Sequence, residues 1–558
     1  VQWYSIQSHS LVRRLRLRPP AALLLIVIVL FGALQMWVSL HKFYTLQAST
    51  MDLGDFEQEF WKITHGDWWA FSTVFQTPAF ANDGSVFIYP LAYGFRFLGG
   101  ASFLFGLQAL GTAWAAWGIY RAAILNHLAE WTASILAILF LLYPAILGGS
   151  QFDFHPDFLA LPLLVWAYVY YTTDRKGGYY ILLALAAVAK NMALISIAGW
   201  GLGLLVYRKR WRDGLITVAS SVGLFFLEMD VIFPRYFQGG TEKINLALYG
   251  YLGHGFSGIL LGIVTHFPAV VHHLLQEGPY AFWILEPVLG LSLLGSASVP
   301  ALLSLVALNA LSAFPAQQQI NDQYQVILAG WAFLALGEAL ARFRAQQPRL
   351  LFGVAVATVM IEALFVGSVI LPELAATNRT LPAVEAAVQH IPRHAVVWTQ
   401  NRLGPWAYRF RVLGIAREQA PHQFIDPLPL LWREADRGGV RPTAILAERP
   451  VTPYMADIIA ESLRAGYRVT EHQGGVFVVQ GMRHFGASRP SAVGNGWQPR
   501  SSVWEIPAWT QQTMLGHVDW PDLAVVVPPH ARGVVFPGFP VVLRPGTYVR
   551  LAGTEACR

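Results

Sequence analysis

PPAALLLIVIVLFGALQMWVSL (19–40) is followed, after a short polar link, by STMDLGDFEQEFWKITHGDWW (49–69). The first stretch carries no charged side chain and matches the roughly 20 apolar residues that cross a bilayer as a helix. The second holds the carboxylates of Asp52, Asp55, Glu57, Glu59 and Asp67. A membrane span running straight into a cluster of acids sets the reading of the whole chain. It predicts an acidic loop anchored at one membrane face.

Composition extends this to a polytopic protein. Over 558 residues the chain is 55% hydrophobic and 13% charged, where a soluble domain carries about 25% charge. The apolar residues gather in runs such as EWTASILAILFLLYPAILG (130–148), LITVASSVGLFFLEMDVIF (215–233) and RLLFGVAVATVMIEALFVGSVIL (349–371). A net charge of +6 raises nucleic acid as a partner. The basic residues argue against it, because they sit at the ends of apolar runs, in RRLRLR (13–18), YRKRWR (207–212) and ARFRAQQPR (341–349). That is the pattern of cytoplasmic loops in a plasma-membrane protein. Cys557 is the single cysteine, which excludes an internal disulfide and thiolate metal sites.

The expected fold is an α-helical bundle of ten to twelve transmembrane helices with an extracytoplasmic C-terminal α/β domain and a β-rich tail. Residues 1–18 read as a cytoplasmic N-terminus and 19–371 as the transmembrane domain. Within it, 41–85 form a first outer loop and 234–280 a second outer region. Segments 102–120, 131–148, 156–171, 281–297, 299–314 and 323–340 read as spans, and 86–100 as a half-helix. The run 179–207 is broken by Lys190 and Asn191 and reads as two short helices. GFSGILLGIVTHFPAVVHHLL within 234–280 reads as helices lying in the interface. After Pro372 charge rises and long apolar runs stop. Residues 372–485 read as the α/β domain, with helix then strand over 381–400, a strand at 443–449, a helix at 454–466 and a strand pair with a Gly-Gly turn over 467–481. Residues 486–558 read as a β-rich module suited to contact other membrane or surface proteins. No internal repeat is evident.

Five polar groups in this apolar chain are candidates for chemistry. In the first loop, a helix would put Asp52, Asp55 and Glu59 on one face, with Phe56 and Phe60 dipping into the interface. Such carboxylates bind a divalent cation or deprotonate a hydroxyl; the same loop also reads as an ordinary solvated surface. In QFDFHPDF (151–158), Asp153, His155 and Asp157 alternate with aromatic residues, and His155 precedes a helix-opening Pro156. A carboxylate–histidine pair poises a base, holds a metal or caps a helix. Lys190 inside an apolar run meets a phosphate or pairs with Asp153 or Asp157. In RYFQGGTEKINLALYGYLGHG (235–255), Arg235, Glu242, Lys243, Tyr251 and His254 suit a phosphate or sugar clamp or a plain loop. In QQQINDQYQ (317–325), Asn321, Asp322, Gln323 and Tyr324 line a polar cavity or form an outer turn.

Together MDLGDFEQEFWKITHGDWW (51–69), LLYPAILGGSQFDFHPDFLALPLLVWAYVYY (141–171), AKNMALISIAGWGLGLLVYRKRW (189–211) and YGYLGHGFSGILLGI (249–263) resemble the DUF2079 family of bacterial and archaeal membrane proteins. The resemblance covers roughly residues 45–480. The family is similar to GT-C glycosyltransferases, which take a sugar from a polyprenyl-phosphate donor on the extracytoplasmic side and place an essential aspartate in the first outer loop. It implies Asp52 or Asp55 as catalytic base. It places Asp153, His155, Lys190, Tyr251 and Tyr324 at family positions; with Arg235 and His254, read from their own loop, these are the candidate donor and phosphate contacts. Asp52, Asp55 and His155 are then candidate ligands for Mg or Mn. The expected partners are membrane lipids and a polyprenyl-phosphate-linked sugar. The chain departs from the family at Asn191 and Met192, where two acids are usual, and in DGSVFIYP (83–90), which lacks the usual histidine. These departures leave a second reading, a non-catalytic subunit of a membrane or cell-surface complex.

Overall fold

The structure is a computed structural model. It describes residues 18–481 apart from 76, 83, 152, 237–245, 247, 277–278, 321, 394, 411, 417–441, 452–458, 460–461 and 464–466, together with short strand backbones between 503 and 551.

The first apolar run forms helix α1 (Pro19–Tyr44), which starts on prolines and carries its first charges only in the last turn, at His41 and Lys42. Four helical stretches are long and apolar enough to cross a membrane: Pro19–Tyr44, Trp211–Tyr236, Gln323–Arg342 and Gln347–Ala375. The pair Gly255–Thr265 and Phe267–Gln276 adds a fifth if it is one broken span, although the two pieces meet at 88°. Ten to twelve full spans are therefore not what the described residues form.

The reason lies in identifiable breaks. The run 131–148 splits at Tyr143, held extended (ψ 136°) by the following Pro144. The run 281–297 is not a span at all. A seven-residue helix, Pro279–Leu285, gives way to two short 3-10 turns around Pro287. There Leu289 and Gly290 take φ of 51° and 64°, left-handed values that no helix accepts. At 179–207 the chain opens at Lys190 (φ −154°, ψ 124°), leaving helices Lys176–Ala189 and Ala193–Val206. Short apolar helices such as Val299–Ala310, with 12 residues, extend about 18 Å, less than the roughly 30 Å of a hydrocarbon core.

The centre of the bundle is the helix Val326–Arg342, buried nearly all round because it is apolar all round. Trp331 stacks on Trp200 at 5.5 Å, and Phe333 meets Phe140 and Tyr143 edge-on. Close approach is made by small residues. A Cβ on Gly203 would stand 1.8 Å from the Ala297 carbonyl oxygen, so nothing larger fits there.

One face of the bundle gathers the basic runs. Lys176 pairs with Asp213 at 2.5 Å, and Arg208 with Glu338 at 3.7 Å. The other face carries the acidic loop. There the far ends of two spans meet, Lys42 pairing with Glu373 at 3.2 Å.

Beyond the last span lies a five-stranded sheet of β1 (Val396–Gln400), β2 (Val412–Ala416), β3 (Ala444–Glu448), β4 (Tyr467–Gln473) and β5 (Val476–Gly481). Its order is β2-β1-β3-β5-β4, with β1 parallel to both β2 and β3 and β5 antiparallel to β3 and β4. Gly474 and Gly475 both take positive φ, as a two-residue hairpin turn requires. The helix Leu381–His390 covers one sheet face through Ala383, Val384 and Ala387. Leu46, at the start of the acidic loop, belongs to that same core. Its φ of 57° is costly for leucine, by roughly 1–2 kcal/mol; burial of its side chain offsets that cost. The sheet is thus fastened to the acidic loop and lies on the same face of the bundle. The tail contributes two strand pairs, Val503–Ile506 with Tyr548–Leu551 and Val535–Phe536 with Phe539–Val542. The rest of 486–558, with the partner surface expected there, lies outside the described residues, as does most of 454–466.

Candidate functional site

The acidic loop is helical but not solvated. Ser49 opens it, its Oγ accepting the Met51 amide at 3.1 Å. A π-helical turn, Thr50–Gly54, then runs into the α-helix Asp55–Thr64. A π turn holds more residues than an α turn, so the α-helical spacing that would align Asp52 with Asp55 does not apply across it. The carboxylates separate accordingly. Asp55, Glu57 and Glu59 are 1%, 0% and 1% exposed. Asp52 keeps 20% of its side chain accessible.

The buried acids sit in distinct surroundings. Asp55 Oδ1 accepts from Ser72 Oγ at 2.5 Å, tying the helix to the short antiparallel pair of Phe71–Ser72 and Thr77–Pro78. Glu57 lies fully buried near Ala101 at the start of the helix Gly100–Leu125, a position that favours negative charge. Burial, with a further push from Asp153, holds the Glu57 carboxyl well above the usual range. Phe56 and Phe60 face inward rather than to the interface, packing edge-on against Phe154 at 5.2 and 6.3 Å. Aromatic residues on both segments draw the loop onto 153–157.

That contact assembles the site. His155 Nε2 lies 3.4 Å from Asp52 Oδ1. The His155 backbone amide donates to Gln108 Oε1 at 3.2 Å, and Gln108 Nε2 donates to the Ser150 carbonyl at 3.0 Å, so the turn before Pro156 is pinned from a neighbouring helix. Asp153 Oδ2 accepts the Ser49 amide at 2.5 Å. Asp157, in the first turn of the helix Asp157–Thr172, pairs with Lys190 at 3.3 Å, both nearly buried. The helix break at 190 therefore delivers a cation to the acids.

A further carboxylate arrives from far along the chain. Asp322 is buried and interacts electrostatically with His155, Asp52 and Asp157. The polar run at 317–325 marks it, but the sequence does not say which loop it faces. Burial pushes Asp153 up to about 7, helped by the Asp52 charge and opposed by the Ser49 amide. Burial pushes Asp322 up to about 7 as well, with His155 pulling back. For His155, burial alone would favour the neutral ring; the Asp52 carboxylate, by hydrogen bond and charge, outweighs it and raises the pKa. Asp52 and His155 thus form a partly open acid–histidine pair among the buried acids Asp153, Asp157 and Asp322.

The remaining expected residues lie elsewhere. Tyr251 donates to the Leu311 carbonyl at 3.1 Å, and its ring centroid lies 5.0 Å from that of His273. Arg235 is exposed on the short helix Phe233–Tyr236, and His254 is exposed at the cap of Gly255–Thr265. Asp230 caps that last helix through the Phe256 amide at 3.0 Å. The Tyr324 ring meets Phe314 edge-on. Glu242, Lys243 and Asn321 lie outside the described residues. Among the described residues no three His, Cys, Asp or Glu side chains are arranged to hold a metal ion.

Over the loop sits the C-terminal unit. Asn401 Oδ1 accepts the Thr50 amide at 2.9 Å and Ser49 Oγ at 3.2 Å, and Thr50 Oγ1 donates to the Asn401 carbonyl. Phe43 stacks on Trp406 at 4.4 Å.

The family described as "Predicted membrane protein (DUF2079)" matches residues 42–419. No curated protein gives a significant match. Among solved structures, ArnT from Cupriavidus metallidurans bound to undecaprenyl phosphate is similar at 13% identity and a TM-score of 0.48, covering 81% of this chain and 97% of that one. The same protein in the apo state gives 14% identity and 0.45, with the same coverage.

Proposed function

The chain belongs to the DUF2079 family of predicted membrane proteins, and from the geometry of its loop-face cluster we propose that it transfers a sugar from a polyprenyl-phosphate donor to an extracytoplasmic acceptor. The observation that carries this reading is the Asp52–His155 pair at 3.4 Å, in which Asp52 alone among the helical acids of its loop stays partly accessible. A donor anchored in the bilayer presents its phosphate at headgroup depth, where an acid loop following a span sits. Asp52 accepts the proton of the acceptor hydroxyl. The freed oxygen bonds to the anomeric carbon, and the bond from that carbon to phosphate oxygen breaks, its electron pair leaving with polyprenyl phosphate. His155 orients Asp52, and Lys190 supplies positive charge on the side where the phosphate departs. Arg235 and His254, exposed on the second loop region, are available to the headgroup. The C-terminal unit is then extracytoplasmic, because it shares the face of the acid loop.

The competing reading, a non-catalytic subunit, has one observation in its favour: Asp55 and Asp153 are engaged in holding the scaffold together. Purified protein in lipid nanodiscs, supplied with total polyprenyl-phosphate-linked sugars from its own host and a host envelope extract as acceptor, separates the two. The transferase reading expects release of polyprenyl phosphate, measured by mass spectrometry, from wild type and not from Asp52→Asn. Equal release from both, or none from wild type, favours the subunit.

A further inference from the structure

The helix Ile88–Leu98 leaves an apolar stripe uncovered beneath the acidic loop. Its other side is packed. Ile88, Ala92 and Phe95 are buried, and the Phe95 ring meets Phe60 of the helix Asp55–Thr64 at 5.4 Å. The open stripe runs through Pro90, Tyr93 and Phe97, with Leu98 beside it. Tyr93, Phe97 and Leu98 are 58%, 83% and 74% exposed. A helix apolar on both sides requires an apolar neighbour on the open one.

The path of the chain identifies that neighbour. A Cβ on Gly94 would stand 2.7 Å from the Phe103 ring. In one straight helix the two positions lie about 13 Å apart along the axis. The chain therefore folds back at Gly99 and Gly100, which take φ of 67° and 60°. Ile88–Leu98 does not continue the helix Gly100–Leu125, which packs along the span α1. Phe103, Leu107, Leu110 and Trp114 follow one another down one face of that second helix, and Leu110 and Trp114 are exposed. The contact at Gly94 joins this face to the open stripe. The two make one apolar surface beside a membrane span.

The flanks of the stripe differ in chemistry. Gly94 and Arg96 fall on opposite sides of it. The Gly94 side meets Phe103. The Arg96 side holds Tyr89, whose ring lies parallel to the exposed Trp68 at 6.4 Å. Arginine, tyrosine and tryptophan along one edge, with phenylalanine and leucine on the face and the other edge, is the pattern of a helix lying in a membrane interface. The aromatic rings and the arginine head sit at headgroup level while the apolar face enters the acyl chains. We infer that Ile88–Leu98 lies in the plane of the bilayer interface, with Tyr93, Phe97 and Leu98 among acyl chains and Arg96 at phospholipid phosphates. Through the Phe60–Phe95 contact it holds the acidic loop at headgroup depth. Its seat on lipid does not depend on sugar transfer; the use of that depth by Asp52 rests on the transferase reading.

The test places a reporter on the open stripe. Full-length protein with Cys557→Ser, which removes the single cysteine, receives Tyr93→Cys or Phe97→Cys. A reference carries Arg468→Cys, exposed on β4 of the sheet. Each is labelled with a small fluorophore and reconstituted in vesicles of phosphatidylcholine and phosphatidylglycerol. The labels at 93 and 97 are expected to lose most of their emission to doxyl-labelled phospholipid and little to iodide in the water. The label at 468 should do the reverse. Arg96→Glu, which opposes the phosphates, should reduce lipid quenching at 93 and admit iodide. Quenching at 93 and 97 by iodide alone would put the stripe in water, and quenching by neither would put it under another protein surface. Either result overturns the proposal, and unchanged quenching in Arg96→Glu overturns the phosphate contact. No sugar is transferred in this assay. Lipid quenching at 93 and 97 in a protein that releases no polyprenyl phosphate therefore leaves the interfacial seat standing and the transferase reading fallen.

Discussion

Asn401 holds the backbone of Thr50: the Thr50 amide donates to Asn401 Oδ1 at 2.9 Å, and Thr50 Oγ1 donates back to the Asn401 carbonyl. Two segments some 350 residues apart thereby share one hydrogen-bonded turn, and the turn carries Asp52. Positioning of the candidate base is a property of the C-terminal unit as much as of the first loop.

Asn401→Ala removes the acceptor for both the Thr50 amide and Ser49 Oγ. A buried donor left unpaired costs about 1–3 kcal/mol. Hydrogen exchange over 49–54 is expected to accelerate strongly, while exchange in α1 stays as it was. Unchanged protection at Thr50 would show that the turn is held by other means.

Gly404 allows the close approach. A Cβ there would stand 1.9 Å from Thr50 Oγ1, so Gly404→Ala must push the two segments apart. Limited proteolysis should then cut between 376 and 401 faster, with the spans intact. Wild-type resistance in Gly404→Ala contradicts the docking described above.

The buried acids Asp153 and Asp322 predict a pH dependence. Folded Asp153 and Asp322 titrate at about 7, whereas an unfolded aspartate titrates near about 3.9. Between those values the native state holds protons that the unfolded chain has released. The stability from these groups is full below about pH 4 and is lost as pH rises toward about 7. Unfolding temperature in detergent should therefore fall from pH 5 to pH 8. Asp153→Asn and Asp322→Asn should each flatten that fall, and a slope identical to wild type in both variants excludes them as its source.

Lys190 and Asp157 are both nearly buried at 3.3 Å. Removing one partner leaves an uncompensated charge, so Lys190→Met should cost about 3–5 kcal/mol of stability. The double variant Lys190→Met, Asp157→Asn should recover much of that loss in thermal unfolding. If the double variant is no better than the single one, the pair is not what holds the helix break.

Local chemistry made part of this legible from the sequence. The charge of Lys190 inside an apolar run marks a break, Gly474–Gly475 marks a hairpin, and the alternation of acids with phenylalanines marks 151–158 as a turn against the core. The expected pairing of Lys190 with Asp153 or Asp157 falls on Asp157, but most pairing across distance is hidden from the sequence. Nothing local tells Asp52, which meets His155, from Asp55, which meets Ser72; a single π turn separates their directions. Asp322 stands in a visibly polar run, yet its place beside His155 follows only from how the central helix packs. The overcount of spans has a local cause that hydropathy does not weigh: Pro144, and the left-handed pair Leu289–Gly290, cut runs whose composition alone would cross a membrane.

The measurement that bears most directly on the central claim is the pool of polyprenyl-phosphate-linked sugars in the native host. It would be quantified by mass spectrometry in a deletion strain carrying either wild type or Asp52→Asn at equal abundance. The transferase account predicts that one lipid-linked sugar accumulates in the deletion, is consumed by wild type and still accumulates with Asp52→Asn. A pool that Asp52→Asn clears as fully as wild type would contradict it.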